Sequence, residues 1–310
     1  MLDKAEDFMG RVTFVTGPEK HCGKTTFMNR AAELVRRSAD RPAGRGPALL
    51  PVGYDGEARD FLSGARKPAV PGAAGDVVVT TERFARPCSP EILDVLPGST
   101  ALGRLCVVRA RRAATVALVG PEGNSLVGWA VRRIVDEELA DTVFVDGAIN
   151  RITQTASIAG ARFVYALRVD GSGLDRAVAR VRRMATLVRL PLAAGAAEIA
   201  GDPGAMDELE SPTGMYFLEG ALTAETMAGL PKRFRSIVVE DFTKVFLSDS
   251  ELAAFMRERS LSVRRRIEFG GFVVACRGIP DCDFADRLGD DSIAALVAYN
   301  PYEAARRRAA

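Results

Sequence analysis

The sequence predicts an α/β protein, a mostly parallel sheet flanked by helices. Three observations carry that expectation. Short apolar runs rich in β-branched residues recur along the chain. Between several of them lie stretches with apolar residues at helical spacing. Many of the runs close on glycine or an acid, where a strand hands over to a turn. Continuous apolar runs suit strands buried on both faces of a parallel sheet, and strand–helix alternation joins such strands.

Taken in order, the expected strands are "RVTFVTG" (11–17), "ALLPVGYDG" (48–56), "DVVVTT" (76–81), "TVALVG" (115–120) and "TVFVDG" (142–147). "RFVYALR" (162–168), "GMYFLEG" (214–220) and "SIVVED" (236–241) follow. In residues 24–37 the helical stripe is Phe27, Ala31, Leu34 and Val35. In 124–139 it is Val127, Ala130, Val131, Ile134 and Val135. In 173–190 it is Leu174, Ala177, Val178, Val181, Ala185 and Val188, and Pro191 stops that helix.

Segment 57–113 departs from this rhythm, being rich in Gly, Pro and short β runs without a long helical pattern. The expected organisation is a core whose first part is 1–56, a β-rich insertion or subdomain at 57–113, the second part of the core at 114–300, and a flexible tail at 301–310.

Composition narrows the function. Forty-two basic and forty acidic residues, mixed along 310, leave a net charge of +2 and no single-sign block to attract nucleic acid. No apolar run reaches the ~18 residues of a membrane span. The opening "MLDKAEDFMG" lacks the apolar core of a signal peptide. Five cysteines, at 22, 88, 106, 276 and 282, show no zinc-type spacing. A cytoplasmic protein is expected, without membrane or nucleic-acid partners. His21 is the only histidine, so multi-histidine metal sites are impossible.

The most informative stretch is "VTFVTGPEKHCGKTTFMNRAAELVRR" (12–37). A strand, a glycine-bounded turn and Gly-Lys-Thr-Thr opening a helix make a phosphate loop. Small residues let backbone N–H groups wrap an anion, and the helix N-terminus adds positive potential. Gly17 and Gly23 bound the loop, with five residues between them where the usual pattern has four. The amides of Cys22–Thr26 would grip the phosphates, Lys24 would reach the β- and γ-phosphates, and Thr25 would offer its hydroxyl to Mg²⁺. Lys20 stands where one branch of phosphate-loop proteins carries a second lysine that reaches phosphate across a homodimer. The expected fold is therefore P-loop NTPase-like.

Mg²⁺ calls for a carboxylate at the end of a neighbouring buried strand. Asp146 ends "TVFVD" and is the first choice; Asp55 ends "LLPVGYD" and competes with it or serves beside it. Asp241 in "IVVED" is third and reads as an ordinary strand end. The absence of Asn-Lys-x-Asp removes the usual guanine reader and favours ATP over GTP.

Together, "GPEKHCGKTT", "GYDGEARD", "DGAINR", "GALT" and "IVVEDFTKVFL" resemble, in order over residues ~11–250, the P-loop subunit of the lysine 5,6-aminomutase reactivase family. Lys20, Gly23, Lys24, Thr25 and Thr26 match its loop. Asp55, Gly56 and Glu57 match its acidic turn, and Asp146, Gly147, Asn150 and Arg151 its strand-end motif. The resemblance implies an ATPase that acts with a MutS-like second subunit. The pair would use ATP to eject damaged cobalamin from an adenosylcobalamin-dependent aminomutase.

Two departures concern the client more than the nucleotide. Tyr54 stands where the family has Arg before Asp-Gly-Glu, and "ALRVDG" replaces a small-residue Thr-Gly-Ala stretch. The chain has no Asp-x-His-x-x-Gly for base-off cobalamin, which suits a helper rather than the mutase itself. Two alternatives stay open: a small-molecule kinase or ligase of the dethiobiotin synthetase-like type, and a nucleotide-binding module that does not hydrolyse.

Overall fold

The computed structural model describes residues 2–19, 21–42, 44–55, 70–147, 158, 160–194, 215–230 and 232–299, with the backbone alone at 54–55. Two compact units emerge, Met1–Val178 with Phe269–Ala310, and Ala179–Glu268.

The strands of the first unit run in chain order β1 (Val12–Thr16), β2 (Ala48–Pro51), β3 (Tyr54–Asp55), β4 (Val70–Gly72) and β5 (Val77–Thr81). Then come β6 (Glu91–Val95), β7 (Leu105–Arg109), β8 (Ala114–Val116), β9 (Leu118–Val119), β10 (Val143–Asp146) and β11 (Arg162–Asp170). The second unit supplies β12 (Met215–Leu218), β13 (Ser236–Val239) and β14 (Ser260–Val263), and β15 (Glu268–Arg277) and β16 (Val297–Tyr299) return to the first. The helices are α1 (Lys24–Arg37), α2 (Glu82–Ala85), α3 (Asn124–Asp136), α4 (Leu174–Val188), α5 (Ala224–Gly229), α6 (Asp249–Glu258), α7 (Asp281–Leu288) and α8 (Asp291–Ala294).

A nine-stranded sheet organises the first unit, in the order β16-β15-β11-β1-β10-β2-β5-β7-β6. Pairing is parallel from β11 through β1, β10 and β2 to β5, and between β15 and β16. A Cβ on Gly270 would stand 3.1 Å from Val164, and one on Gly171 would stand 3.5 Å from Ile279. The start of β15 therefore lies by the start of β11 and its finish by the finish, so these strands also run the same way. Only β7 is antiparallel to its neighbours β5 and β6. Phe14, Phe144 and Phe163, on three adjacent central strands, are completely buried. Each contributes on the order of 1.5–3 kcal/mol. Phe8 closes this core from the N-terminal turn, its ring 5.9 Å from Phe27 and 5.6 Å from Phe144.

Of segment 57–113, expected as an insertion, β5, β6 and β7 lie in the main sheet, while β4 pairs with β8 from outside the segment. Hydrophobic strands next to a parallel sheet lower their free energy by extending it. Within the range expected as the second part of the core, 179–268 forms the second unit, a parallel β12-β13-β14 sheet linked by α5 and α6. Thr223 and Ser248 begin those helices with reciprocal capping boxes.

Helices α1 and α3 bury most of their expected stripes: Phe27, Ala31 and Val35, then Val127, Ala130, Val131 and Ile134. Val135 is a correction, since it is 41% exposed: α3 is in its last turn there, ending at Asp136, and the side chain has rotated off the buried face. No helix among the described residues is long and apolar enough to cross a membrane.

Candidate functional site

The site lies at the carboxyl ends of β1 and β10. From β1 the chain crosses through α1 to β2 on one side, whereas β10 is followed by β11 on the other side of β1. Open α/β sheets leave a crevice outside the strand ends where connections part in this way. The sequence builds the two strands alike: "VTFVT" and "VFVD" are apolar to the last residue and then turn polar. Val15 pairs with Asp146, so the acid stands level with the strand end from which the loop departs.

The loop is shaped by glycine. A Cβ on Gly17 would fall 2.5 Å from the Ala166 carbonyl oxygen and 2.5 Å from Cys22 Sγ, so only glycine lets the chain turn there. Gly23 caps α1 with φ 96°, ψ 8°, the left-handed region, and His21 is also left-handed at φ 59°. The cap makes no side-chain hydrogen bond, and no acid occupies the first turn. The amino end of a fourteen-residue helix thus carries its partial positive charge with no capping side chain and no acid of its own first turn against it.

Lys24 folds back over the loop. Its Nζ donates to the Glu19 carbonyl at 2.8 Å and approaches Cys22 Sγ at 3.6 Å. One residue on, the Thr25 hydroxyl donates to Asp146 Oδ2 at 2.7 Å. Asp146 is only 6% exposed. A carboxylate so buried needs partners to stay charged, and Thr25 is one. Beneath them, Thr16 Oγ1 donates to the Val164 carbonyl at 3.2 Å, and Gly147 N–H donates to the Val15 carbonyl at 3.0 Å, locking the strand ends together.

Gly17, Cys22, Gly23, Lys24, Thr25, Thr26 and Asp146 lie at the loop between β1 and α1 and at the neighbouring end of β10. Cys22 is buried, its sulfur filling the space beside Gly17. Asp55 is placed by its backbone, in β3 opposite Leu118 of β9. That short pair is fastened by Gly53 N–H to the Pro121 carbonyl and Gly120 N–H to the Gly53 carbonyl, each 2.9 Å. Val52 N–H donates to the Asp146 carbonyl at 2.9 Å, which ties the start of this segment to β10. Lys20, Gly56, Glu57, Asn150 and Arg151 lie outside the described residues, as does the side chain of Asp55. Asp241 belongs to the second unit, where its carboxylate accepts from Thr243 N–H and Oγ1 and starts a turn.

Sequence reasoning missed the supporting carbonyls of Ala166 and Glu19. Backbone acceptors leave no mark in residue identity; the glycine at 17 was the one available clue to the first. Among the described residues no group of three or more His, Cys, Asp or Glu is arranged to hold a metal ion. The donors available are a hydroxyl and a carboxylate oxygen 2.7 Å apart, hard oxygens of the kind that Mg²⁺ takes as ligands.

The molecule is an α/β protein with a large, mostly parallel mixed sheet flanked by helices. Comparison of the chain with protein-family models, curated proteins and solved structures finds no match.

Proposed function

We propose that the chain is a P-loop NTPase that binds Mg²⁺·ATP at Gly17–Thr26 and hydrolyses it. The observation that carries this reading is the Thr25–Asp146 hydrogen bond of 2.7 Å beside Lys24 at an uncapped helix start. Few other functions call for a buried acid, a hydroxyl and a lysine around a glycine-bounded turn.

In this reading Lys24 exchanges the Glu19 carbonyl for phosphate oxygens, and the amides of Cys22–Thr26 donate to the same anion. Thr25 and Asp146 would hold Mg²⁺, which would supply positive charge to offset that of the phosphates. Asp55 would serve beside them, toward the metal or the attacking water. Water adds to the γ-phosphorus as the bond to the β,γ-bridging oxygen breaks, leaving ADP and phosphate. Lys24 stabilises the charge that develops on the leaving group.

The ordered sequence resemblance supports a more specific role. The chain would be the P-loop subunit of a reactivase, working with a MutS-like subunit to release damaged cobalamin from an adenosylcobalamin-dependent aminomutase. A remodelling ATPase couples hydrolysis to a shape change, so turnover is slow alone and faster with client and partner.

The test is ATP hydrolysis by the chain alone, then with the second subunit and an inactivated aminomutase. Stimulation in the complete mixture, lost in Lys24→Ala, is the expected result. Full reactivation by Lys24→Ala overturns the energy coupling. Steady phosphorylation of a metabolite without the mutase favours a kinase or ligase. Binding without hydrolysis under all conditions favours a nucleotide-binding module.

A further inference from the structure

The loop between β1 and α1 brings a thiol and an amine into contact, and nucleotide binding has no use for that contact. Lys24 Nζ lies 3.6 Å from Cys22 Sγ, within hydrogen-bond reach of sulfur, while it donates to the Glu19 carbonyl at 2.8 Å. Side chains two residues apart on a helix do not face one another. These two do because the chain between and before them is left-handed, at Gly23 with φ 96° and at His21 with φ 59°. The sulfur fills the inside of the turn, where a Cβ at Gly17 would stand 2.5 Å from it.

The pair differs from the chain's other thiols in what the sulfur meets. Cys88 Sγ donates to the Ala85 carbonyl, Cys106 Sγ to the Arg104 carbonyl, and Cys282 Sγ lies 3.6 Å from the Asp283 carboxylate. Those contacts are to oxygen; that of Cys22 is to a primary amine. The two partners also differ in exposure. Cys22 is 3% exposed, whereas Lys24 is half-buried at the mouth of the loop. Bulky thiol reagents are therefore kept from the sulfur, and its approach is past the lysine, whose flexible stem can move aside.

We propose that Cys22 and Lys24 form a reversible N–O–S crosslink when the chain meets a peroxide, and that this crosslink shuts the loop to nucleotide. One peroxide oxidises the thiol to a sulfenic acid: the S–H and O–O bonds break, an S–O bond forms and water leaves. Lys24 gives a proton to solvent and becomes the neutral amine. A second peroxide takes one hydrogen from that nitrogen and the hydrogen of the sulfenic acid, its O–O bond breaks to give two waters, and an N–O bond forms. Each peroxide thus accepts two electrons, and two equivalents of a dithiol return them, regenerating thiol, amine and water. The bridging oxygen draws the two atoms nearer than the hydrogen bond does, a shift that rotation of the lysine stem supplies. Held to Cys22, Lys24 no longer reaches phosphate. That consequence rests on the reading of the loop as a nucleotide site; formation of the crosslink does not.

The experiment treats the full chain, free of nucleotide, with hydrogen peroxide and reads its tryptic peptides by mass spectrometry. The expected product is a peptide holding Cys22 and Lys24 that has gained one oxygen and lost two hydrogens, with no cleavage after Lys24; dithiothreitol reverses both changes. Cys22→Ser and Lys24→Arg are expected not to form it. Thermal melts confirm that the variants are folded, and Cys22→Ala replaces Cys22→Ser if that chain does not fold. Calorimetry then follows Mg²⁺·ATP. Peroxide is expected to weaken binding by the parent chain by about tenfold or more, with recovery in dithiothreitol, and to leave the affinity of Cys22→Ser as it was before treatment. The proposal is overturned if Cys22 gains oxygen alone, as sulfenic, sulfinic or sulfonic acid, while trypsin still cuts after Lys24. It is also overturned if the product persists in Lys24→Arg, or if the crosslinked chain binds Mg²⁺·ATP as tightly as the reduced one. Absence of ATP binding by the reduced chain counts against the nucleotide site, and the peptide masses still decide the crosslink.

Discussion

Asp146 accepts a short hydrogen bond, 2.7 Å, from the Thr25 hydroxyl. Asparagine keeps an acceptor of the same size but removes the charge that binds a divalent cation. Asp146→Asn is therefore expected to weaken Mg²⁺-dependent ATP binding by about tenfold or more while leaving binding in EDTA nearly unchanged, by calorimetry in both buffers. Equal losses in the two buffers would show that the residue shapes the loop rather than serving the metal. At Gly17 the issue is space, since a Cβ would meet the Ala166 carbonyl at 2.5 Å. Gly17→Ala is expected to lower stability by about 1–3 kcal/mol, the usual range for overpacking, and to abolish ATP binding. An unchanged urea midpoint refutes that crowding. Asp146 was legible because a buried strand ending in an acid is unusual unless the acid has work. The Ala166 carbonyl was not, because any residue supplies one.

Helix α1 carries the site at one end and an anchor at the other. Arg36, in its last turn, meets Asp76 at 2.7 Å; Asp76 is wholly buried and also accepts the Ala73 N–H at 2.7 Å. Arg36→Ala leaves that carboxylate without its counter-ion and is expected to cost about 3–5 kcal/mol, seen in the urea midpoint. The pair also sets a pH dependence. Burial raises the Asp76 pKa above the ordinary carboxylate value, outweighing the hydrogen bonds and charge of Arg36 that lower it. The folded chain therefore keeps this proton to higher pH than the unfolded chain. The associated stability is present below the ordinary carboxylate pKa and is lost as pH rises through the raised one. Subtracting the pH profile of Asp76→Asn from that of the parent is expected to leave a difference that falls with pH across that window; a rising difference contradicts the sign. At this scale α1, α3 and the inner strands were legible from periodicity. Strand β15 was not, because "EFGGF" reads as a loop. Its glycines are required where a Cβ at 270 would crowd Val164 and where Gly271 takes φ 134°.

For the whole molecule, a ligand that binds only the folded chain raises its stability by mass action. Mg²⁺·ATP at one hundred times its Kd contributes about 2.7 kcal/mol. Protection from hydrogen exchange is expected to rise along β1, the loop and β10 in the first unit, and to be lost in Lys24→Ala. No change in protection on saturation with Mg²⁺·ATP counts against a nucleotide at this place.

By itself the sequence determined that strands and helices alternate, that a glycine-bounded turn precedes Lys24 and Thr25, and that an acid ends the strand at 146. These are local matters, written in periodicity and in residues with few alternative uses. Only the tertiary structure decided that β10 lies beside β1, which brings Asp146 to Thr25 across 121 positions of chain. It alone assigned β5, β6 and β7 to the main sheet and 179–268 to a second unit. Neighbours in a sheet are chosen by burial of whole faces and by chain crossings, and neither is encoded in any one stretch.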